Sequence, residues 1–284
     1  MGMAVIKGTS YSDNLLGTSG PDLIYGYEGD DTLLGGSGND SMYGGAGDDT
    51  FLFNGSAGKD YFDGGDGVDT IGIANVSHIF NSVEVGIGSL TSVEAIVSDG
   101  SKPVYLKTEG VLDLTGIQMA NINGFRGSVG NDYMTAEVVY NTSSGTTTGM
   151  TMWGYAGNDE IKGSVLNDII DGGEGDDTLI GYAGADTLLG GDGADVLAGG
   201  VGNDTLTGGS GADWFWFETS GGVDTITDYV DGADKLIVGS SLSNINLYNY
   251  QSTSTLIEFN GGAAYAILQG VAASSIDGTD FLWA

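Results

Sequence analysis

The sequence predicts an all-β fold, a parallel β-roll (β-solenoid) of nonapeptides arranged as two rolls joined by a metal-poor β segment. Three observations predict it. Glycine-led units recur every nine residues, an aspartate holds the sixth place of each unit, and an apolar residue holds the eighth, as in GGEGDDTLIGYAGADTLLGGDGADVLAGG at residues 172–200. A helix repeats at 3.6 residues and a half-buried strand at 2, so neither produces this period. A coil does.

The first array has unit starts at Gly8, Gly17, Gly26, Gly35 and Gly44, with looser continuations at Gly55 and Gly64. Its sixth positions are Asp13, Asp22, Asp31, Asp40, Asp49, Asp60 and Asp69. The second array starts at Gly154 and continues at Gly163, Gly172, Gly181, Gly190, Gly199 and Gly208. Its aspartates are Asp159, Asp168, Asp177, Asp186, Asp195, Asp204 and Asp213, followed at position eight by Ile161, Ile170, Leu179, Leu188, Leu197, Leu206 and Phe215. One isolated copy, GSVGNDYMT, stands ahead at Gly127 with Asp132, and Asp224 with Ile226 reads as a degenerate continuation.

Each unit divides by its chemistry. The glycine-rich first six residues turn, because glycine accepts positive φ, and the last three form a short strand whose middle residue points inward. Two units complete one flattened coil, so repeat n lies beneath repeat n+2. Asp159, Asp177, Asp195 and Asp213 then line one edge and Asp168, Asp186 and Asp204 the other, one sheet spacing of roughly 4.8 Å apart. Carboxylates that close repel unless a cation sits between them. A hard ion that accepts six to eight oxygens at flexible angles fits best, so calcium is expected, roughly eight to eleven ions in all. Each unit buries little more than one aliphatic side chain, about 2 kcal/mol, which is less than the entropy lost in ordering nine residues. Metal is therefore expected to decide whether the chain folds.

Composition agrees. Seven Lys plus Arg against 39 Asp plus Glu leave a net charge of -32 over 284 residues, which excludes nucleic acid and disfavours an anionic membrane surface. Cysteine is absent, so no disulfide holds the fold. No apolar run is long enough for a membrane span, and MGMAVIKGTSYSD lacks the apolar core of an N-terminal export signal.

The expected organisation is a first roll at 1–72, a β-rich connecting segment with a Thr-rich loop at 73–153, a second roll at 154–217, and a cap with a secretion signal at 218–284. In the connecting segment VSHIFNSVEVGIG, LTSVEAIV and VYLKTEGVLDLTGI alternate like strands, and several read as coils without metal turns. AEVVYNTSSGTTTGMTMW at 136–153 reads as a projecting loop or hairpin. Trp214, Phe215, Trp216 and Phe217 offer the bulk to cover a solenoid end.

Units such as GGEGDDTLI, GGSGNDSMY and GGVGNDTLT resemble the GGxGxDxUx nonapeptides of the RTX (repeats-in-toxin) family. The resemblance covers both arrays and the tail. It implies calcium-binding β-rolls and export from a Gram-negative bacterium by type I secretion machinery. Residues 214–238 resemble the serralysin-like terminal cap of RTX rolls in secreted proteases and lipases. Asp280, Phe281 and Leu282 resemble the acidic-then-apolar end of type I export substrates. Short repeat-only members, including calcium-binding proteins secreted by rhizobia in nodulation, imply an extracellular role in attachment, matrix or host interaction, with a polysaccharide or a host or bacterial surface as partner.

No catalytic set stands out. The Gly-x-Ser-x-Gly elbow, the HExxH helix and the P-loop are missing, and His78 has no motif around it. The competing reading is an accessory or catalytic module on an acidic polysaccharide, of lyase or epimerase type. It has for cations near the centre only Lys102, Lys107, Arg126 and Lys162, and for sugar-stacking aromatics Tyr27, Tyr155 and Tyr182 at repeat position two.

Overall fold

The computed structural model describes residues 2–53, 58–73, 83–91, 95–98, 104–107, 111–113, 118–120, 122, 124–136, 142–143, 146–147, 149–217, 222–239, 244–251, 253–259, 262, 264–283. Among them the secondary structure is strand, turn and bend, with no helix. The chain separates into two compact units. The first comprises Met1–Thr108, Leu114–Arg126 and Val138–Thr148, the second Glu109–Asp113, Gly127–Glu137 and Gly149–Ala284. Residues 73–153 thus contribute to both.

In the first unit, strands Ala4–Lys7, Asp22–Glu28, Ser41–Ala46, Asp60–Asp66, Val83–Thr91, Val104–Lys107 and Gly124–Arg126 pair in succession, all parallel. A second parallel ladder runs through Asn14–Leu16, Thr32–Leu34, Thr50–Phe53, Thr70–Ile73, Ala95–Ser98 and Gln118–Ala120. Through the repeats each strand pairs with the next but one along the chain, which is the two-units-per-coil winding expected from the period. The strands of the connecting segment enter the same ladders, and Ile96, Leu106, Ile122 and Phe125 are fully buried. These are coils without the aspartate turn: opposite Asp60 the ladder places Ile87. Thr142–Ser143 and Thr146–Thr147 form a small antiparallel hairpin.

The second unit repeats the plan. One ladder runs through Val111–Asp113, Tyr133–Thr135, Glu160–Lys162, Thr178–Ile180, Val196–Ala198, Trp214–Phe217, Lys235–Val238 and Phe281–Trp283. The facing ladder runs through Thr151–Ala156, Ile169–Glu174, Thr187–Asp192, Thr205–Ser210 and Val223–Ile226 to Ala264–Leu268. There the rule of parallel winding ends, because Ser254–Phe259 and Ile245–Tyr250 add antiparallel. Along the repeating strands a buried residue stands between two half-buried ones, so one apolar side chain per repeat faces inward. Ile161, Ile170, Leu179, Leu188, Leu197, Leu206 and Phe215 are all 0% exposed.

The terminal aromatics behave differently from expectation. Trp214–Phe217 is one more coil of the ladder, so its side chains alternate: Phe215 and Phe217 are buried, whereas Trp214 is 45% exposed. The end is covered instead by the downstream strands and turns. Phe217 stacks on Phe259 with ring centroids 5.4 Å apart, and Phe215 lies 6.4 Å from Tyr229. Leu236, Val238, Ile257 and Leu268 are buried in the same terminal segment.

Candidate metal-binding turns

Turn geometry follows from glycine placement. At Gly26 an added Cβ would collide with both the Asp31 Oδ2 and the Gly44 carbonyl oxygen, so a carboxylate oxygen and a carbonyl from the next coil face one small space. The same pairing of own aspartate and next-coil carbonyl recurs at Gly44, Gly154, Gly172, Gly181 and Gly190. Where position two is glycine or tyrosine it takes a left-handed backbone, as at Gly45 (φ 119°), where an added Cβ would strike the Tyr27 carbonyl oxygen. Tyrosine holds this conformation in three turns, Tyr27 (φ 87°), Tyr155 (φ 81°) and Tyr182 (φ 72°), at a cost of roughly 1–2 kcal/mol each against glycine. Tyr27 and Tyr155 remain about half exposed.

The expected aspartate rows form. In the first unit Asp13, Asp31, Asp49 and Asp69 make one row, the backbone N–H of each donating to Oδ1 of the next at 2.7–2.8 Å. Asp22, Asp40 and Asp60 make the other, at 2.9–3.0 Å. In the second unit Asp132, Asp159, Asp177, Asp195 and Asp213 share a row through the same bond. Asp168, Asp186, Asp204 and Asp224 share its counterpart. All of these except Asp13 are buried.

One oxygen of each carboxylate along a row is thereby engaged. The other, Oδ2, is buried and meets no hydrogen-bond donor in Asp31, Asp40, Asp49, Asp159, Asp177, Asp186, Asp195 and Asp204. Burying an anionic oxygen without a partner is costly, and burial raises the pKa of these carboxyls above the usual carboxylate value. Burial, reinforced by the neighbouring aspartates of the row, pushes Asp49, Asp60 and Asp195 up to about 6, Asp177 to about 7 and Asp186 to about 8. Asp204 and Asp224 are both raised, again first by burial. A carboxylate oxygen without a donor beside backbone carbonyls is an all-oxygen donor set for a hard divalent cation. Among the described residues no three His, Cys, Asp or Glu side chains gather in one cluster; the oxygen that faces the carboxylate at Gly26, Gly44, Gly154, Gly172, Gly181 and Gly190 is a backbone carbonyl. Calcium, with its tolerance of number and angle, suits such a set.

Two features lie outside the nonapeptide register read from the sequence. Asp234 extends the second unit's first row, accepting the Asp213 N–H at 3.0 Å. It lacks a leading glycine, Tyr229 standing in that place, and only the Asp-x-aliphatic pattern of Asp234 and Leu236 signals it. Position five carries a second, outer ladder: Asn158 accepts from Asp176 N–H (3.1 Å) and Asp176 from Ala194 N–H (2.8 Å). The recurrent Asn or Asp just before the position-six aspartate is its signature. His78 and Lys102 lie outside the described residues, as does the Lys107 side chain. Lys162 is committed locally, pairing with Glu160 at 2.6 Å and Tyr133 Oη at 3.3 Å.

The family described as the RTX calcium-binding nonapeptide repeat matches residues 7–42, 25–54, 38–71, 153–188, 162–197 and 189–226. Among curated proteins none matches the chain. Among solved structures, the AlgE6R3 subunit of the Azotobacter vinelandii mannuronan C5-epimerase is 27% identical, covering 41% of this chain and 78% of its own, with a TM-score of 0.36. The extracellular lipase LipA of Serratia marcescens is 19% identical, with a TM-score of 0.28; the match covers 100% of this chain, which spans 40% of the lipase. With the repeat register, the parallel coils and the buried aspartate rows all in place, residues 7–71 and 153–226 belong to the RTX calcium-binding nonapeptide repeats.

Proposed function

We propose that the chain is a secreted, non-catalytic calcium-binding protein whose rolls fold on meeting calcium outside the cell, and that it serves in surface attachment, extracellular matrix or host interaction. The single observation that carries this reading is the set of buried aspartate Oδ2 atoms without donors, stacked in rows. In a calcium-poor cytosol the net charge of -32 keeps the chain extended and fit for export by a type I machine. In millimolar calcium, ions at the turns replace repulsion with bridging. The aspartates at position six, from Asp13 to Asp224, are the pool of ligands from which roughly eight to eleven sites are drawn. The division into rolls at 1–72 and 154–217, a connecting segment and a C-terminal cap with its export signal belongs to the same proposal.

Circular dichroism tests it: chelated protein should be largely disordered and gain β signal in millimolar calcium. An unchanged spectrum overturns the proposal.

One observation favours a second reading, an accessory module on an acidic polysaccharide. The rings of Tyr27, Tyr25, Tyr43 and Tyr61 follow one another in that order across three neighbouring strands, with centroids 5.0–6.0 Å apart. Such aromatic surfaces suit sugar rings. Calcium-dependent cleavage or epimerisation of alginate-like or pectin-like polymers would favour this reading over the first.

A further inference from the structure

Position two separates the aspartate turns into two kinds. Where it is glycine or tyrosine the backbone is left-handed, and in eight of these turns Oδ2 of the aspartate four residues on is left over, as in Tyr182–Asp186 and Gly191–Asp195. At the described turns where it is serine or threonine, Thr9, Thr18, Ser128 and Ser164, the backbone is not left-handed and the donors of that residue converge on the carboxylate. Thr9 donates both N–H (2.6 Å) and hydroxyl (2.8 Å) to Asp13 Oδ2. Ser128 does the same to Asp132 (2.6 and 3.0 Å), and Ser164 to Asp168 (2.6 and 3.0 Å). Thr18 gives its N–H to Asp22 Oδ2 (2.5 Å) and its hydroxyl to Oδ1 (3.1 Å). In each case the N–H of position four closes the loop by donating to the position-two hydroxyl, at 3.1–3.3 Å.

These four turns share a place in the molecule. Each aspartate row begins on one of them: Asp13 and Asp22 in the first unit, Asp132 and Asp168 in the second. Before Asp22 and Asp168 the coil offers Ala4 and Met150, whose N–H groups bond the aspartate Oδ1 at 3.2 and 2.6 Å but which bring no carboxylate. At the far end of the second unit, Asp234 has Oδ2 closed by Val230 N–H (2.7 Å). Asp280 beyond it has both oxygens closed, by Tyr229 hydroxyl (2.9 Å) and Asp277 N–H (2.8 Å).

We infer that the Ser/Thr turns are calcium-free end stops, and that a serine or threonine at position two decides that a repeat does not take an ion. The inference rests on the calcium reading of the remaining turns. A cation entering at Asp168 would have to displace two charge-assisted hydrogen bonds that already stabilise the carboxylate. One entering at Asp186 displaces none at Oδ2. An edge turn has metal-bearing neighbours on one side only, so closing it with its own donors spares the row a half-built site.

Native mass spectrometry and equilibrium dialysis of the full chain at saturating calcium test this. Asp168→Asn should keep the wild-type ion count, whereas Asp186→Asn should lose an ion, with circular dichroism in calcium confirming that both fold. Tyr182→Ser, which places a hydroxyl at position two, should also lose an ion while its chelated form retains more β signal than wild type. Equal losses from Asp168→Asn and Asp186→Asn, or an undiminished count in Tyr182→Ser, would overturn the end-stop assignment with the calcium reading intact. A wild-type chain that takes up no calcium overturns both.

Discussion

Within the second unit, the repeat roll and the cap beyond it solve one problem in opposite ways. Both stack carboxylates on coil edges. In the roll, Asp177, Asp186 and Asp195 each bury an oxygen without a donor, and the interior receives one aliphatic side chain per repeat. In the cap, Asp234 and Asp280 are closed by N–H and hydroxyl groups. Its interior gathers Phe217, Tyr229, Leu236, Val238, Ile257, Phe259 and Leu268. If the rolls fold on calcium as proposed, the difference teaches that such an architecture needs metal in proportion to what its interior and its own donors fail to supply.

The largest expected effect is calcium removal. Hydrogen exchange on chelated protein should show loss of protection through Ile161–Leu206, with slower exchange persisting at Ile257 and Leu268 in the cap; uniform loss would abolish the contrast. Next comes the small core itself. Leu197→Ala removes the inward aliphatic side chain of its repeat and should cost about 2–5 kcal/mol in calcium-saturated denaturant unfolding, whereas a loss well under that range would mean that the coils slide to refill the gap.

Acid should partly substitute for metal. The aspartates raised by burial, Asp195 at about 6, Asp177 at about 7 and Asp186 at about 8, bind more protons folded than unfolded. Their contribution to metal-free stability is therefore fully present below the unfolded value of 3.8 and is lost as pH rises through 6 to 8. Chelated protein should regain β signal on acidification from about pH 8 to about pH 5, and calcium uptake near pH 7 should release protons measurable in weakly buffered solution. An acid-insensitive chelated chain would remove buried carboxylate repulsion as the reason for metal dependence. The smallest expected effect is at position two: Tyr182→Gly relieves a left-handed tyrosine and should gain about 0.5–1 kcal/mol in calcium, after the added flexibility of glycine is offset.

Much of this was legible in advance because the period is short and regular. Asp at position six and Leu179, Leu188 and Leu197 at position eight follow from the nonapeptide register alone, since a flattened coil of two repeats returns each residue above its counterpart. The connecting segment was legible as alternating strands, several of them coils without metal turns, but not in its pairing. Nothing local in AIV or VYLK fixes which ladder they join, and that Ile96 and Leu106 enter the interior depends on partners far away in the chain. The inward and outward split of Trp214–Phe217 likewise depends on the pleat of a strand that the run of aromatics does not reveal.

The sequence by itself determined the nine-residue winding, the rows of aspartates and the demand for a hard cation, because these depend only on spacing and on charge brought within one strand separation. Only the tertiary structure decided which carboxylates keep an oxygen without a donor. That depends on whether position two turns left-handed, as Tyr182 is made to do, or does not and offers its N–H and hydroxyl, as Ser164 does. It also decided how the row ends, since Asp234 and Asp280 are closed by Val230, Tyr229 and Asp277, donors that the folded cap brings together.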